Sequence, residues 1–114
     1  MGGMERLPSR RNDRRETRHD IELPGELRQR ADRTNAVLCD ISAHGCCISG
    51  FEGYVSLHAP VHIRPRGMEP MLAWVRWLRG DEIGCEFARA LYGPVLDYLV
   101  ARHGIAVELE ACAA

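Results

Sequence analysis

Two short stretches of the sequence concentrate residues that could bind a ligand. The first is RRETR, from Arg14 to Arg18, and the second is DISAHG, from Asp40 to Gly45. Guanidinium groups are planar and present paired N–H donors, which match the oxygens of an anionic group such as phosphate. A carboxylate accepts N–H hydrogen bonds, and a serine hydroxyl can donate or accept beside it. The two stretches together favour binding of an anionic ligand.

The cysteines around the second stretch raise the alternative of a metal or redox site. Cys39, Cys46 and Cys47 lie close to His44 in the sequence. Zinc sites usually need two well-spaced ligand pairs, however, and adjacent residues on a strand point to opposite faces. The five cysteines are odd in number and include no CxxC pair, unlike a secreted disulfide framework. We therefore expect no metal and predict that the thiols are small buried hydrophobes.

Alternation along a strand predicts which side chains of the second stretch reach a ligand. If AVLCDIS forms a strand, Asp40 and Ser42 point to the same side. Gly45 is expected to let the following turn adopt a left-handed conformation and a ligand approach the backbone. The residues predicted to point inward instead are Val37, Cys39 and Ile41.

The stretches are set among short strands, which must position them. From His19 onward the chain alternates apolar and polar residues, with a kink or turn at Pro24-Gly25 and a turn at ADRTN. The strongest hairpin signal joins the strands MLAWVRWLR and EIGCEF through Gly80-Asp81. Further predicted strands are AVLCDIS, CCIS, VHIR and a short one at Tyr54 to Leu57. The pattern predicts a small barrel or curled sheet.

The final element changes from strand to helical periodicity. Leu91, Val95 and Leu99 recur at helical spacing, Pro94 suits a first turn and Gly104 a C-cap. We predict three regions: a flexible arginine-rich arm over residues 1–18, the β-domain with its helix over 19–104, and a tail over 105–114. No apolar run is long enough to span a bilayer, and the first residues resemble no signal peptide, so we expect a cytoplasmic protein.

Charge is distributed unevenly along the chain. All fifteen basic residues are arginine, whereas the formal net charge is −1. Six of the arginines lie within the first eighteen residues, so the rest of the chain is somewhat acidic. A local arginine cluster on a nearly neutral protein indicates a local anionic partner and disfavours a broad nucleic-acid footprint.

The two stretches and the later hairpin resemble the PilZ domain, a bacterial receptor module for cyclic di-GMP. The family pattern is RxxxR, a strand, then [D/N]xSxxG, similar to Arg14–Arg18 and Asp40–Gly45 here. The family's V-x-W strand and G-x-x-F segment resemble Val75-Arg76-Trp77 and Gly84-Cys85-Glu86-Phe87. The resemblance covers roughly Arg10 to Arg102. It implies a mainly β fold: a six-stranded antiparallel β-barrel with a C-terminal α-helix.

The resemblance also implies a function and a set of binding residues. It implies cyclic di-GMP binding without catalysis or a further cofactor, ordering of the arm, and signalling to a downstream protein partner. The expected ligand-binding residues are Arg14, Arg15, Arg18, Asp40, Ser42 and Gly45. Further candidate contacts are Arg11, His44 and Trp77.

Two other functions remain open from the sequence. One is a PilZ-like docking module that binds only protein, and the other is a nucleic-acid binder that uses the arginine arm. Trp77 also has two interpretations, contact with the ligand and packing in the core or at the barrel rim. A strand face shared with Val75 favours packing. No paired-carboxylate, P-loop or Ser/His/Asp pattern indicates an enzyme. We expect no membrane partner.

Overall fold

The computed structural model describes residues 17–105, which form six β-strands and one α-helix. The helix follows the last strand, as its sequence period predicts. The strands and helix are β1 (His19–Gln29), β2 (Asp32–Ile41), β3 (Gly45–Ser49), β4 (Pro60–Pro65), β5 (Met71–Arg79), β6 (Glu82–Phe87) and α1 (Gly93–His103).

The strands close into an antiparallel barrel in the order β1-β2-β3-β6-β5-β4, and β4 pairs back onto β1. This confirms the predicted fold class. Closure pairs both sides of every strand and so removes exposed sheet edges. It also places β2, β3, β6 and β5 side by side, and their outward-facing residues form one continuous surface. We call this surface the β2–β5 face.

The core consists of the inward-facing apolar residues of all six strands, closed at one end by α1. Leu99 of the helix is 2% exposed and packs into the same cluster as Ile21. The helix begins with Pro94 in its first turn and ends at Gly104, as predicted, although Gly104 is extended and not left-handed. The Ile105 N–H donates to the Asp20 carbonyl oxygen at 3.0 Å, which ties the end of the helix to β1.

Three local predictions differ from the structure. β1 runs through Pro24-Gly25 without a turn. A Cβ on Gly25 would lie 2.6 Å from the Arg64 carbonyl oxygen, so the absence of a side chain permits the close pairing of β1 with β4. The chain turns at Arg30-Ala31, so only the first residue of ADRTN lies in the turn and the other four belong to β2. The segment from Tyr54 to Leu57 is a loop, in keeping with the positive φ of Gly53 just before it.

Two β-bulges decide which side chains face outward. In β2, Leu38 pairs with Ile48 and Asp40 with Cys47, so Cys39 is an extra residue. A bulge shifts the alternation by one residue. Asp40 therefore faces outward, as predicted, and Ile41 faces the core. The prediction that Val37 and Cys39 point inward is wrong, because both are only half-buried.

The second bulge lies in β5. Val75 pairs with Cys85 and Trp77 with Gly84, so Arg76 is the extra residue. Val75 is fully buried, whereas Trp77 shares the outward face of Gly84. The prediction that Val75 and Trp77 share a face is therefore wrong.

Within residues 17–105, no helix has the length and apolar character needed to cross a membrane.

Candidate functional site on the β2–β5 face

Arg18 and Asp40 form an ion pair at the edge of the β2–β5 face. An Arg18 guanidinium nitrogen lies 3.2 Å from the Asp40 Oδ1, and the side chains are 29% and 23% exposed. Asp20 lies directly opposite Asp40 in the β1–β2 pairing, where two like charges are unfavourable. The Arg18 guanidinium offsets that repulsion. The structure thus joins the last arginine of RxxxR to the first residue of DxSxxG.

Asp40 begins a row of cross-strand neighbours that leads to Trp77. Asp40 pairs with Cys47, Cys47 with Gly84, and Gly84 with Trp77. The Trp77 ring reaches back over Gly84, since a Cβ on that glycine would lie 2.1 Å from the ring. Two strand spacings, roughly 10 Å, therefore separate Asp40 from the ring. A dinucleotide could span this distance.

Trp77 is half-buried and already has a cationic neighbour. The guanidinium carbon of Arg79 lies 4.8 Å from the ring centroid, over the ring. A cation in this position is attracted by the π electrons. A base that stacked on the same side of Trp77 would have to displace Arg79.

Ser42 organises the turn between β2 and β3 and is fully buried. Its Oγ accepts hydrogen bonds from the backbone N–H groups of His44 and Gly45, at 3.3 and 3.2 Å. The Ser42 N–H donates to the Gly45 carbonyl oxygen at 2.9 Å. The sequence predicts that the Asp40 and Ser42 side chains point to the same side of the strand and reach a ligand, but only the Asp40 side chain is accessible. Ser42 acts on the site by fixing the turn.

Gly45 is required for packing against β6. The backbone φ angle of Gly45 is not positive, so the prediction of a left-handed conformation at this residue is wrong. A Cβ on Gly45 would lie 2.3 Å from the Cys85 carbonyl oxygen, which no side chain could accommodate without moving the backbone. The Phe87 N–H donates to the His44 carbonyl oxygen at 2.8 Å and further ties the turn to β6. The His44 side chain itself is exposed beside the site.

The four described cysteines fall into two environments. Cys46 and Cys85 face the core, and burial raises the pKa of both thiols, that of Cys85 to about 12. Cys39 and Cys47 lie on the β2–β5 face, where Cys47 is buried as predicted and Cys39 is only half-buried, against the prediction. A side-chain hydrogen bond from Cys47 lowers the pKa of Cys39, while that bond and burial raise the pKa of Cys47.

A cavity lies elsewhere in the described chain, between β1, β2 and β4. Its volume is about 590 Å³. Its wall includes Glu26 and Asn35 on one side and Arg64 and Arg66 on the other. None of the six predicted binding residues that the structure describes lines it.

The structure therefore places six of the nine predicted residues: Arg18, Asp40, Ser42, Gly45, His44 and Trp77. The other three, Arg11, Arg14 and Arg15, lie outside the described residues. Sequence reasoning did not identify Glu82 or Arg79 as part of this face. Both flank the Gly80-Asp81 hairpin, so the predicted β5–β6 register could have placed them there.

Comparison with known proteins identifies the family of the chain. The PilZ domain model matches residues 10–93, most of the chain. The chain belongs to the PilZ domain family. PilZ domains bind cyclic di-GMP and act as binding modules and not as enzymes. The matched range includes both the arginine segment and the β2–β3 turn.

A solved structure shows the same fold. The Bacillus subtilis inhibitor of motility, MotI/DgrA, superposes with a TM-score of 0.63 at 19% sequence identity. The alignment covers 79% of this chain and 50% of that protein, so the PilZ chain spans about half its length. No curated protein matches the sequence.

Proposed function

We propose that this PilZ domain is a cyclic di-GMP receptor whose ligand binds on the β2–β5 face. The observation that carries the proposal is the accessible Arg18–Asp40 pair, 3.2 Å apart on the barrel surface. It sets five guanidinium N–H donors beside a carboxylate acceptor. A guanine that carries acceptors on one edge and N–H donors on another is complementary to such a pair, and the phosphates complement further arginines.

Arg14 and Arg15 are proposed to complete the phosphate site. Four residues of extended chain span at most about 14 Å, so both side chains can reach a dinucleotide held at Arg18. Neutralisation of several arginines by two phosphates would favour an arrangement in which the N-terminal segment closes over the ligand. The cost of ordering it is offset by charge-assisted hydrogen bonds.

The remaining predicted residues have separate proposed roles. Asp40 accepts hydrogen bonds from the guanine edge, whereas Ser42 and Gly45 hold the turn that follows it. His44 and Trp77 are proposed as contacts at the border of the ligand. The closed segment would create a new surface for a protein partner, which reads the ligand-bound state. Because MotI/DgrA is an inhibitor of motility, motility is one output worth testing.

Calorimetric titration tests the receptor and its site together. Cyclic di-GMP is titrated into the wild-type domain and into Arg18→Ala, Asp40→Ala and Arg28→Ala. Arg28 is a matched control because it is an exposed arginine near the other end of β1. Hydrogen bonds to charged groups contribute about 1.5–3 kcal/mol, so the first two variants should bind roughly 10- to 100-fold more weakly. Arg28→Ala should bind as the wild type does.

Titration with other ligands distinguishes a cyclic di-GMP receptor from the two alternative functions. GMP, linear pGpG and duplex DNA should give far less heat than cyclic di-GMP. Binding of DNA with steep salt dependence and no effect of Asp40→Ala would contradict the proposal in favour of a nucleic-acid binder. No binding of any nucleotide would contradict it in favour of a protein-docking module.

A further inference from the structure

Cys39, Cys47 and Glu82 bring three metal-ligating atoms together on the β2–β5 face. The β2 bulge at Cys39 places its thiol beside Cys47 on β3, and the Cys39 Sγ lies 3.3 Å from the Cys47 carbonyl oxygen. Glu82 reaches the pair from β6, with its Oε1 3.7 Å from the Cys47 Sγ. All three ligand atoms lie within 4.8 Å of one another.

We propose that these three side chains bind a thiophilic divalent cation, Zn²⁺ in particular. Typical Zn–S and Zn–O distances of about 2.3 and 2.1 Å, at tetrahedral angles, place sulfur and oxygen about 3.6 Å apart. The 3.7 Å separation of Cys47 Sγ and Glu82 Oε1 is close to that value. An ion could therefore enter with only side-chain adjustments.

The donor chemistry selects the class of metal. Thiolates favour zinc and other soft ions, whereas Mg²⁺ and Ca²⁺ prefer all-oxygen sites. The carboxylate suits Zn²⁺ better than Cu(I), which favours thiolate and thioether ligands. Binding is a ligand exchange without oxidation: two thiol protons pass to solvent, two Zn–S bonds and one Zn–O bond form, and waters leave the ion.

The site has an entrance and an open coordination position. Cys39 and Glu82 are half-buried, and Cys47 is 5% exposed beneath them. Three protein ligands leave the fourth tetrahedral position of Zn²⁺ to a water or a ligand atom. The cluster uses none of the side chains that we assign to cyclic di-GMP, although Cys47 lies between Asp40 and Trp77 on the same face. Its test requires no nucleotide.

The test is a metal titration of the full chain without an affinity tag. The background variant Cys112→Ser removes the one cysteine outside the described residues, and a phosphine reductant prevents a Cys39–Cys47 disulfide. Zn²⁺ is titrated in competition with a chromophoric chelator. Co²⁺ is then used as a spectroscopic substitute, because thiolate-to-cobalt charge transfer reports bound sulfur. Cys39→Ser and Glu82→Gln are compared with Glu86→Gln, an exposed glutamate on the same strand and face.

We expect one Zn²⁺ per chain and a tetrahedral Co²⁺ spectrum with thiolate charge transfer. The zinc affinity and the intensity of the cobalt charge-transfer band should both be at least 10-fold lower in Cys39→Ser and in Glu82→Gln. Both should be unchanged in Glu86→Gln. Circular dichroism checks that each variant is folded, and both targeted side chains are accessible enough for replacement. Equal zinc binding by the background protein and Cys39→Ser, or no thiolate charge transfer with Co²⁺, would overturn the proposal.

Discussion

The Arg18–Asp40 pair and the Ser42–Gly45 turn are neighbours in the PilZ domain but differ in burial. The pair lies on the barrel surface with both side chains partly exposed. In the turn, Ser42 is fully buried and Gly45 lies against the backbone of β6. A single sequence motif thus contains one part that can contact a ligand and one part that shapes the backbone. Stability and affinity should respond differently in the two regions.

Gly45→Ala should have the largest effect on stability. The added methyl group would meet the Cys85 carbonyl oxygen at 2.3 Å, and backbone cannot rotate away as a side chain can. Overpacking of this kind costs about 3 kcal/mol. Urea denaturation measures the loss, with Gly93→Ala as the control because a Cβ there meets nothing within 4 Å. Equal stability of the two variants would show that β3 and β6 separate easily.

Ser42→Ala should have the next largest effect. It removes the acceptor of the His44 and Gly45 N–H groups from a fully buried position. Loss of such a partner costs about 2 kcal/mol. Ser56→Ala, on an exposed loop, is the matched control in the same denaturation experiment. If Ser42→Ala abolished ligand binding with unchanged stability, Ser42 would belong with the ligand-contacting region.

Asp40→Asn should change stability little and affinity greatly. A partly exposed ion pair contributes about 0–1 kcal/mol, and the loss is partly offset by relief of the repulsion from Asp20. The amide nevertheless replaces one of the two acceptor oxygens with an NH2 donor, whereas the N1–H and N2–H groups of a guanine need two acceptors. We expect an unfolding midpoint near that of the wild type with at least 10-fold weaker cyclic di-GMP binding. A large loss of stability would contradict the division between the two regions.

Arg79→Ala should have the smallest effect. The guanidinium lies 4.8 Å from the Trp77 ring centroid at the exposed end of β5, where a cation–π contact contributes about 0.5 kcal/mol. Urea denaturation should detect a change no larger than this. A loss above about 2 kcal/mol would indicate that the Trp77–Arg79 contact supports the barrel itself.

The sequence predicted the fold because its local signals agree with the barrel. Gly80-Asp81 lies in a turn between branched and aromatic strands, and Pro94 and Gly104 mark the ends of the helix. The faces of Cys39 and Trp77 could not be predicted, because simple alternation assumes a strand without bulges. The approach of Gly45 to Cys85 depends on pairing between β3 and β6, strands that are distant in the sequence. The position of Glu82 beside Cys39 and Cys47 could not be predicted for the same reason, because it also depends on the pairing of β3 with β6.

The most direct test of the central claim is an amide NMR titration of the isotope-labelled domain with cyclic di-GMP. It distinguishes the β2–β5 face from the cavity of about 590 Å³ beside Arg64 and Arg66. We predict the largest shift changes around Arg18, Asp40 and the β2–β3 turn, with smaller changes near Trp77. Changes concentrated around Arg64 and Arg66, with the Arg18 and Asp40 amides unmoved, would contradict the account.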